Sequence, residues 1–186
     1  MAATTGSFKL GPDNGRIVLT TGRNGLAARA GHDLTIEVTR WSAQVEVPDE
    51  GSGGVTAATV SAELDLGSLE VRTGTGGAKP LSDRDRRDIK KTVSGILGGG
   101  TARFSSSRIV PAGPGGGMEG TLTLNGKTGP LRLQVSEPAP GRYQGTATVL
   151  QSAFGIKPYV GFFGALKIKD EVGIAVEVTL PSPAAG

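Results

Sequence analysis

The chain has no cysteine and a single histidine, His32, in 186 residues. The missing cysteines exclude disulfides and thiolate-ligated metals. One histidine leaves little for general-base or nucleophilic chemistry, which draws on His, Cys or clustered carboxylates. Aromatic residues are only 4% of the chain, and no block of Lys or Arg interleaves with them. With a net charge of +3 from 20 basic and 17 acidic residues, this argues against a nucleic-acid partner. No run approaches the roughly 20 apolar residues of a membrane span. The first residues, from Met1 to Ser7, contain neither the basic nor the apolar region of a secretory leader. The expectation is a cytoplasmic, non-enzymatic protein with no cofactor and no metal. A leader removed beforehand would leave the same chain and place it in the periplasm or outside the cell.

What the chain does have is alternation. Arg16 to Thr21 is a short strand candidate. Leu34, Ile36 and Val38 alternate with Thr35, Glu37 and Thr39, the period of a half-buried strand. Beyond Arg40 the apolar positions become odd: Trp41, Ala43, Val45 and Val47. One inserted residue reverses the face, which predicts a β-bulge at Thr39-Arg40. Ala58, Val60, Ala62, Leu64 and Leu66 form the next alternating run, and Leu69 and Val71 extend it.

One helix interrupts the strands. Ser82 is a capping residue with Asp85 three positions on, and Ile89, Val93, Ile96 and Leu97 share one face. Gly98 to Gly100 ends it, so the helix covers about 82–97. Ala102 to Val110 follows as a strand, then a loop from Pro111 to Gly117. Leu122, Leu124, Leu131, Leu133 and Val135 flank a hairpin turn at Asn125-Gly126. Gly145 to Leu150 is a further strand, and Leu166 to Leu180 reads as two strands around a turn at Asp170-Glu171. About eight antiparallel strands with one helix predict an all-β domain over 8–180, a sandwich or an up-and-down barrel, with 1–7 and 181–186 as flexible termini. An eight-stranded barrel has room for one small ligand.

Two glycine motifs carry no nucleotide chemistry. Gly115 to Gly120 has the letters of a dinucleotide fingerprint without a preceding strand and following helix, and Gly126-Lys127-Thr128 has no P-loop spacing. His32 has no nucleophile elbow to serve; its expected role is a hydrogen bond at the barrel mouth to Asp33 or a backbone carbonyl. Half of the chain's aromatics fall between Phe154 and Gly164. That segment reads equally as a core plug or as the mouth of an apolar cavity, with Lys157 and Tyr159 as polar contacts.

The order of these pieces resembles the YceI-like family of lipocalin-like, polyisoprenoid-binding proteins. The matching stretches are Ala30-Gly31-His32-Asp33-Leu34, Leu66-Gly67-Ser68-Leu69-Glu70-Val71, the helix from Leu81 to Ile89, Phe104-Ser105-Ser106, Gly120 to Gly126, Phe154-Gly155-Ile156 and Gly164-Ala165-Leu166. The resemblance implies a single lipocalin-like antiparallel barrel around an apolar tunnel for a long-chain isoprenoid or acyl amphiphile, bound for transport or storage. It also implies that a homodimer is a common state. His32, Phe104 and Phe154 carry over as local matches.

The interior strand positions expected to meet such a ligand are Leu34, Ile36, Leu64, Leu66, Leu122, Leu124 and Leu133, with Leu97 from the helix. Ile156, Lys157, Tyr159, Phe162 and Phe163 join them from the aromatic segment. Two other readings stand beside this one. A barrel filled by its own side chains would be a protein-interaction or stress module, and His32 could serve an enzyme acting on a lipophilic substrate. Alternation alone does not separate a filled barrel from a hollow one.

Overall fold

The structure is a computed structural model that describes residues 5–181. The tail positions 1–4 and 182–186 lie outside the described residues. Twelve antiparallel strands form one sheet. Six of them are halves of three long strands broken at a common corner: β1 (Gly6–Leu10) with β2 (Gly15–Asn24), β3 (Asp33–Val38) with β4 (Trp41–Val47), and β5 (Thr59–Asp65) with β6 (Leu69–Thr75). The helix α1 (Asp83–Leu97) follows, then β7 (Thr101–Ala112), β8 (Gly115–Leu124), β9 (Lys127–Ala139) and β10 (Arg142–Leu150). The two-residue β11 (Val160–Gly161) and the long β12 (Leu166–Thr179) complete the chain.

The wall returns to where it starts. Its path runs β1, β4, β5, β7, β8, β9, β10, β12, β2, and β2 continues β1 across residues 11–14. Three long strands plus β7, β8, β9, β10 and β12 make eight staves; the breaks at the corner and the short β11 raise the count to twelve strands, against about eight expected from the sequence. β3 and β6 extend the wall past β2, and α1 packs against the outer edge strand β6.

The corner replaces the bulge expected at Thr39-Arg40. β3 pairs β2 and β6, whereas β4 pairs β1 and β5, so the partners change across those two residues. Ser68, 1% exposed, holds the bend. Its Oγ accepts from Arg40 N (2.9 Å) and donates to the Asp65 carbonyl (2.7 Å), while its own carbonyl accepts from Thr39 Oγ1 (2.8 Å). Asp65 adds a carboxylate that accepts from Gly67 N and Arg40 Nε. The reversal of facing is as read from the sequence, but its cause is a change of partner rather than an inserted residue.

Other boundaries shift for similar reasons. β1 takes in Gly6 and Ser7, assigned to the tail from sequence. The loop expected over Pro111 to Gly117 is mostly strand, because glycine lets the backbones close in. A Cβ on Gly115 would lie 2.3 Å from the Val135 carbonyl oxygen, and one on Gly116 would lie 2.2 Å from that of Val110. The turn expected at Asp170-Glu171 does not exist: β12 continues through it, with a bulge against β2 between Ile168 and Val172. Asp170 keeps the inward phase of Leu166, Ile168, Val172 and Ile174, and its carboxylate accepts from Ser152 N (2.8 Å) and from the Ser152 hydroxyl. The local elements behave as expected. Ser82 and Asp85 form a reciprocal capping box, Gly98 ends α1 in the left-handed conformation, and Asn125 and Gly126 both have positive φ, as a tight hairpin turn requires.

Candidate functional site: an apolar interior and an aromatic rim

The register lines up the inward side chains in apolar rows. One row runs Ala147, Ile174, Leu19, Ile36, Val71; another runs Leu10, Ala43, Ala62, Phe104, Leu122. These rows do not pack evenly. One packed cluster gathers Phe8, Leu10, Ile17, Leu34, Ile36, Val38, Trp41, Leu69 and Val71 under β1–β4 and β6, with Ile89, Val93 and Leu97 of the helix against it. A second joins Leu66, Ala102, Leu122, Leu131 and Val149 to Phe154 and Ile156.

Beyond the second cluster, at the far end of β5, β7, β8 and β9, four inward positions join no packed cluster. Val60, Ile109, Met118 and Val135 face inward by register, belong to neither cluster and stay half-buried. Two inward positions nearby are glycines with neighbours packed against them: Gly145 lies beside Leu133 and Val176, and a Cβ on Gly120 would come within 2.7 Å of the Phe104 ring. At the neighbouring rim, burial first and then the Glu137 carboxylate push the Tyr143 phenol above its ordinary value. Two open depressions lie on the outer face. One of about 500 Å³ is lined mainly by polar side chains such as Ser61, Ser105 and Thr121, and one of about 380 Å³ lies over Gly115 to Gly117.

The residues singled out from sequence fall into three groups. Leu34, Ile36, Leu66, Leu122, Phe154 and Ile156 are buried in the packed clusters. Leu64, Leu97, Phe104, Leu124 and Leu133 are half-buried at the clusters' margins. Lys157, Tyr159, Phe162 and Phe163 are exposed on one rim. The aromatic segment therefore splits: Phe154 is a plug, its ring beside Gly129, while Phe163 stands wholly in solvent at 112% of a reference exposure. Sequence reasoning passed over Val60, Ile109, Met118 and Val135. The alternation of β5, β8 and β9 carried the signal, but Met118 was hidden by reading Gly115 to Gly117 as loop.

His32 makes the backbone contact expected of it. Its Nε2 donates to the Lys79 carbonyl at 2.7 Å, which ties the segment before α1 to the start of β3. Asp33 instead accepts from Arg23 N (3.0 Å), and Arg23 Nη1 donates to the Ala28 carbonyl (2.8 Å), fixing the loop after β2. Among the described residues no three His, Asp or Glu side chains gather as a metal site. No described helix is long and apolar enough to cross a membrane.

A closed antiparallel wall around an apolar, partly unpacked interior defines the lipocalin-like class of barrel. The family model of the YceI-like domain matches residues 9–180, and the chain belongs to that family. Solved structures agree on the fold. The chain is similar to Burkholderia cenocepacia BcnA, with 19% identity, TM-score 0.59, and 88% of this chain and 94% of that one covered. It is also similar to a polyisoprenoid binding domain from Saccharophagus degradans, with 12% identity, TM-score 0.57 and 95% and 98% covered. A Campylobacter jejuni YceI protein matches at 12% identity and TM-score 0.53, over 80% and 85%. No curated protein matches the chain.

Proposed function

We propose that the protein binds a long-chain isoprenoid or acyl amphiphile inside the barrel and acts as its carrier or store. The observation that carries this reading is the unpacked stretch of interior at Val60, Ile109, Met118 and Val135. A barrel filled by its own side chains would bury these positions as it buries Ile36 and Val38. An apolar chain laid along them would complete the packing, each methylene contributing about 0.8 kcal/mol on leaving water. The neighbour from Saccharophagus degradans, described as a polyisoprenoid binding domain, supports the ligand class.

The test is native mass spectrometry of the purified protein, followed by organic extraction and incubation with polyprenyl and fatty-acyl lipids. A stoichiometric adduct is expected. Met118→Trp, which fills the open stretch, is expected to keep the fold and to weaken the adduct at least tenfold. An unchanged bare mass after incubation would overturn the reading and favour the filled interaction module. Turnover of an added lipid, lost in His32→Ala without unfolding, would replace it with the enzyme.

A further inference from the structure

The rim that carries the exposed aromatics is unusual in three independent ways. First, it is apolar where nothing covers it. Phe163 and Leu26 are fully exposed, Phe162 is 60% exposed, and Tyr159 and Val160 are exposed beside them. They belong to one surface: Ala27 N donates to the Ala165 carbonyl (2.9 Å), Asn24 pairs with Lys167, and Val160 pairs with Lys167 from the other side.

Second, the backbone holds the two phenylalanines out against local preference. Phe162 has φ 49° and Phe163 has φ 53°. Two consecutive bulky residues in the left-handed region are outliers. Such strain persists only where the surrounding structure imposes it, and it clusters at functional segments. Here β11 and β12 on either side clamp the turn.

Third, positive charge is concentrated between the apolar residues. The three segments that meet at this rim, 24–32, 76–82 and 155–169, contain Arg29, Lys79, Lys157, Lys167 and Lys169 and no Asp or Glu, and the carboxylates Asp33, Asp83 and Asp170 stand directly at their ends. The segment before α1 joins the rim because Ala78 N donates to the Arg29 carbonyl at 2.8 Å. Among the described residues, none of these five cations forms an ion pair. They exceed the whole chain's net charge of +3, so the rest of the molecule is net negative.

Apolar side chains at a tip, ringed by unpaired cations and backed by a negative body, match one kind of partner. We propose that this rim docks on the surface of an anionic phospholipid bilayer. Leu26, Phe162 and Phe163 enter the boundary between headgroups and acyl chains, and the cations rest on the anionic headgroups. The negative body sets the orientation by repulsion. Docking there would bring the barrel to a membrane-borne ligand, yet it does not depend on the ligand reading.

The test is flotation of the full chain with vesicles of phosphatidylcholine alone or with phosphatidylglycerol. Binding is expected only to the anionic vesicles, and it should be lost at about 1 M salt, where the screening length falls to about 3 Å. Phe163→Asn keeps a residue that tolerates positive φ, so the fold survives; with Leu26→Ser it should abolish flotation. Each of Lys157→Gln and Lys167→Gln should weaken binding about fivefold. Equal flotation with both vesicle types, or no loss in the Leu26/Phe163 variant, overturns the proposal. So does absence of flotation with a dimer, seen by size exclusion, that Phe163→Asn dissolves; a second copy would then be the occupant. Lipid adducts inside the barrel with no flotation would sink the docking and leave the ligand reading intact.

Discussion

The interior beneath β2, β3, β6 and α1 and the interior beneath β5, β7, β8 and β9 share one sequence pattern and differ in how they are packed. Both alternate apolar and polar residues. Ile36 and Val38 are 4% and 1% exposed, whereas Val60, Ile109, Met118 and Val135 stay half-buried without a cluster to join. The difference comes from what lies opposite. The first half meets α1 through Ile89, Val93 and Leu97 and the aromatic rings of Phe8 and Trp41. The second half has glycines at Gly116 and Gly120 among its inward positions, and α1 reaches it only through Leu97. Close packing and looser packing are thus placed in different parts of one barrel.

The sharpest way to break this comparison is a pair of truncations. Ile36→Ala should cost about 2–5 kcal/mol, since it opens a cavity in a packed core. Met118→Ala should cost under about 1 kcal/mol, because its side chain is only half-buried and joins neither packed cluster. Urea unfolding of both variants gives the answer. Equal losses would mean that the two halves are equally packed.

Ser68→Ala comes next in size. It removes the hydroxyl that serves both Arg40 N and the Asp65 carbonyl at the buried corner. Leaving those groups unpaired should cost about 1–3 kcal/mol. The loss should fall on the packed half, visible as faster amide exchange at Thr39 and Arg40. A neutral effect would show that the corner is held by its strands alone.

The comparison also explains what could be read from sequence. The helix cap at Ser82, the hairpin at Asn125-Gly126 and the facing of each strand depend on residues within a few positions of one another. The corner depends on Ser68, 28 residues from Arg40. The continuity of β12 depends on Ser152, 18 residues from Asp170. Without those partners in view, a phase reversal reads as a bulge and an acidic pair as a turn. The same limit applies to the site. The Phe154-Gly155-Ile156 and Phe162-Phe163 stretches look alike on paper. One is buried against Gly129 and Leu131, and the other stands in solvent, because the strands around them differ. Which inward positions lack a neighbour is a property of the closed barrel, and no single strand contains it.

The smallest expected effect separates the corner from the rim by acid. Asp65 at the corner is held below its ordinary carboxyl value of 3.8, first by the Arg40 side chain and then by Gly67 N. Asp170 is held below 3.8 by the Ser152 hydroxyl and then by Ser152 N, where β12 meets the turn that carries Phe154. Both carboxylates bind protons less readily folded than unfolded. Their contribution is therefore complete above 3.8 and is lost as the pH falls below it through the folded values. Asp170 fastens a short turn on the rim, while Asp65 sits over a corner that Ser68 also holds. Acidification should accordingly raise amide exchange at Phe154 and Ile156 before it raises exchange at Thr39 and Arg40. Asp170→Asn should produce the early opening already at neutral pH, and Asp65→Asn should leave the order unchanged. Simultaneous opening of both sites would mean that the barrel responds to acid as one unit.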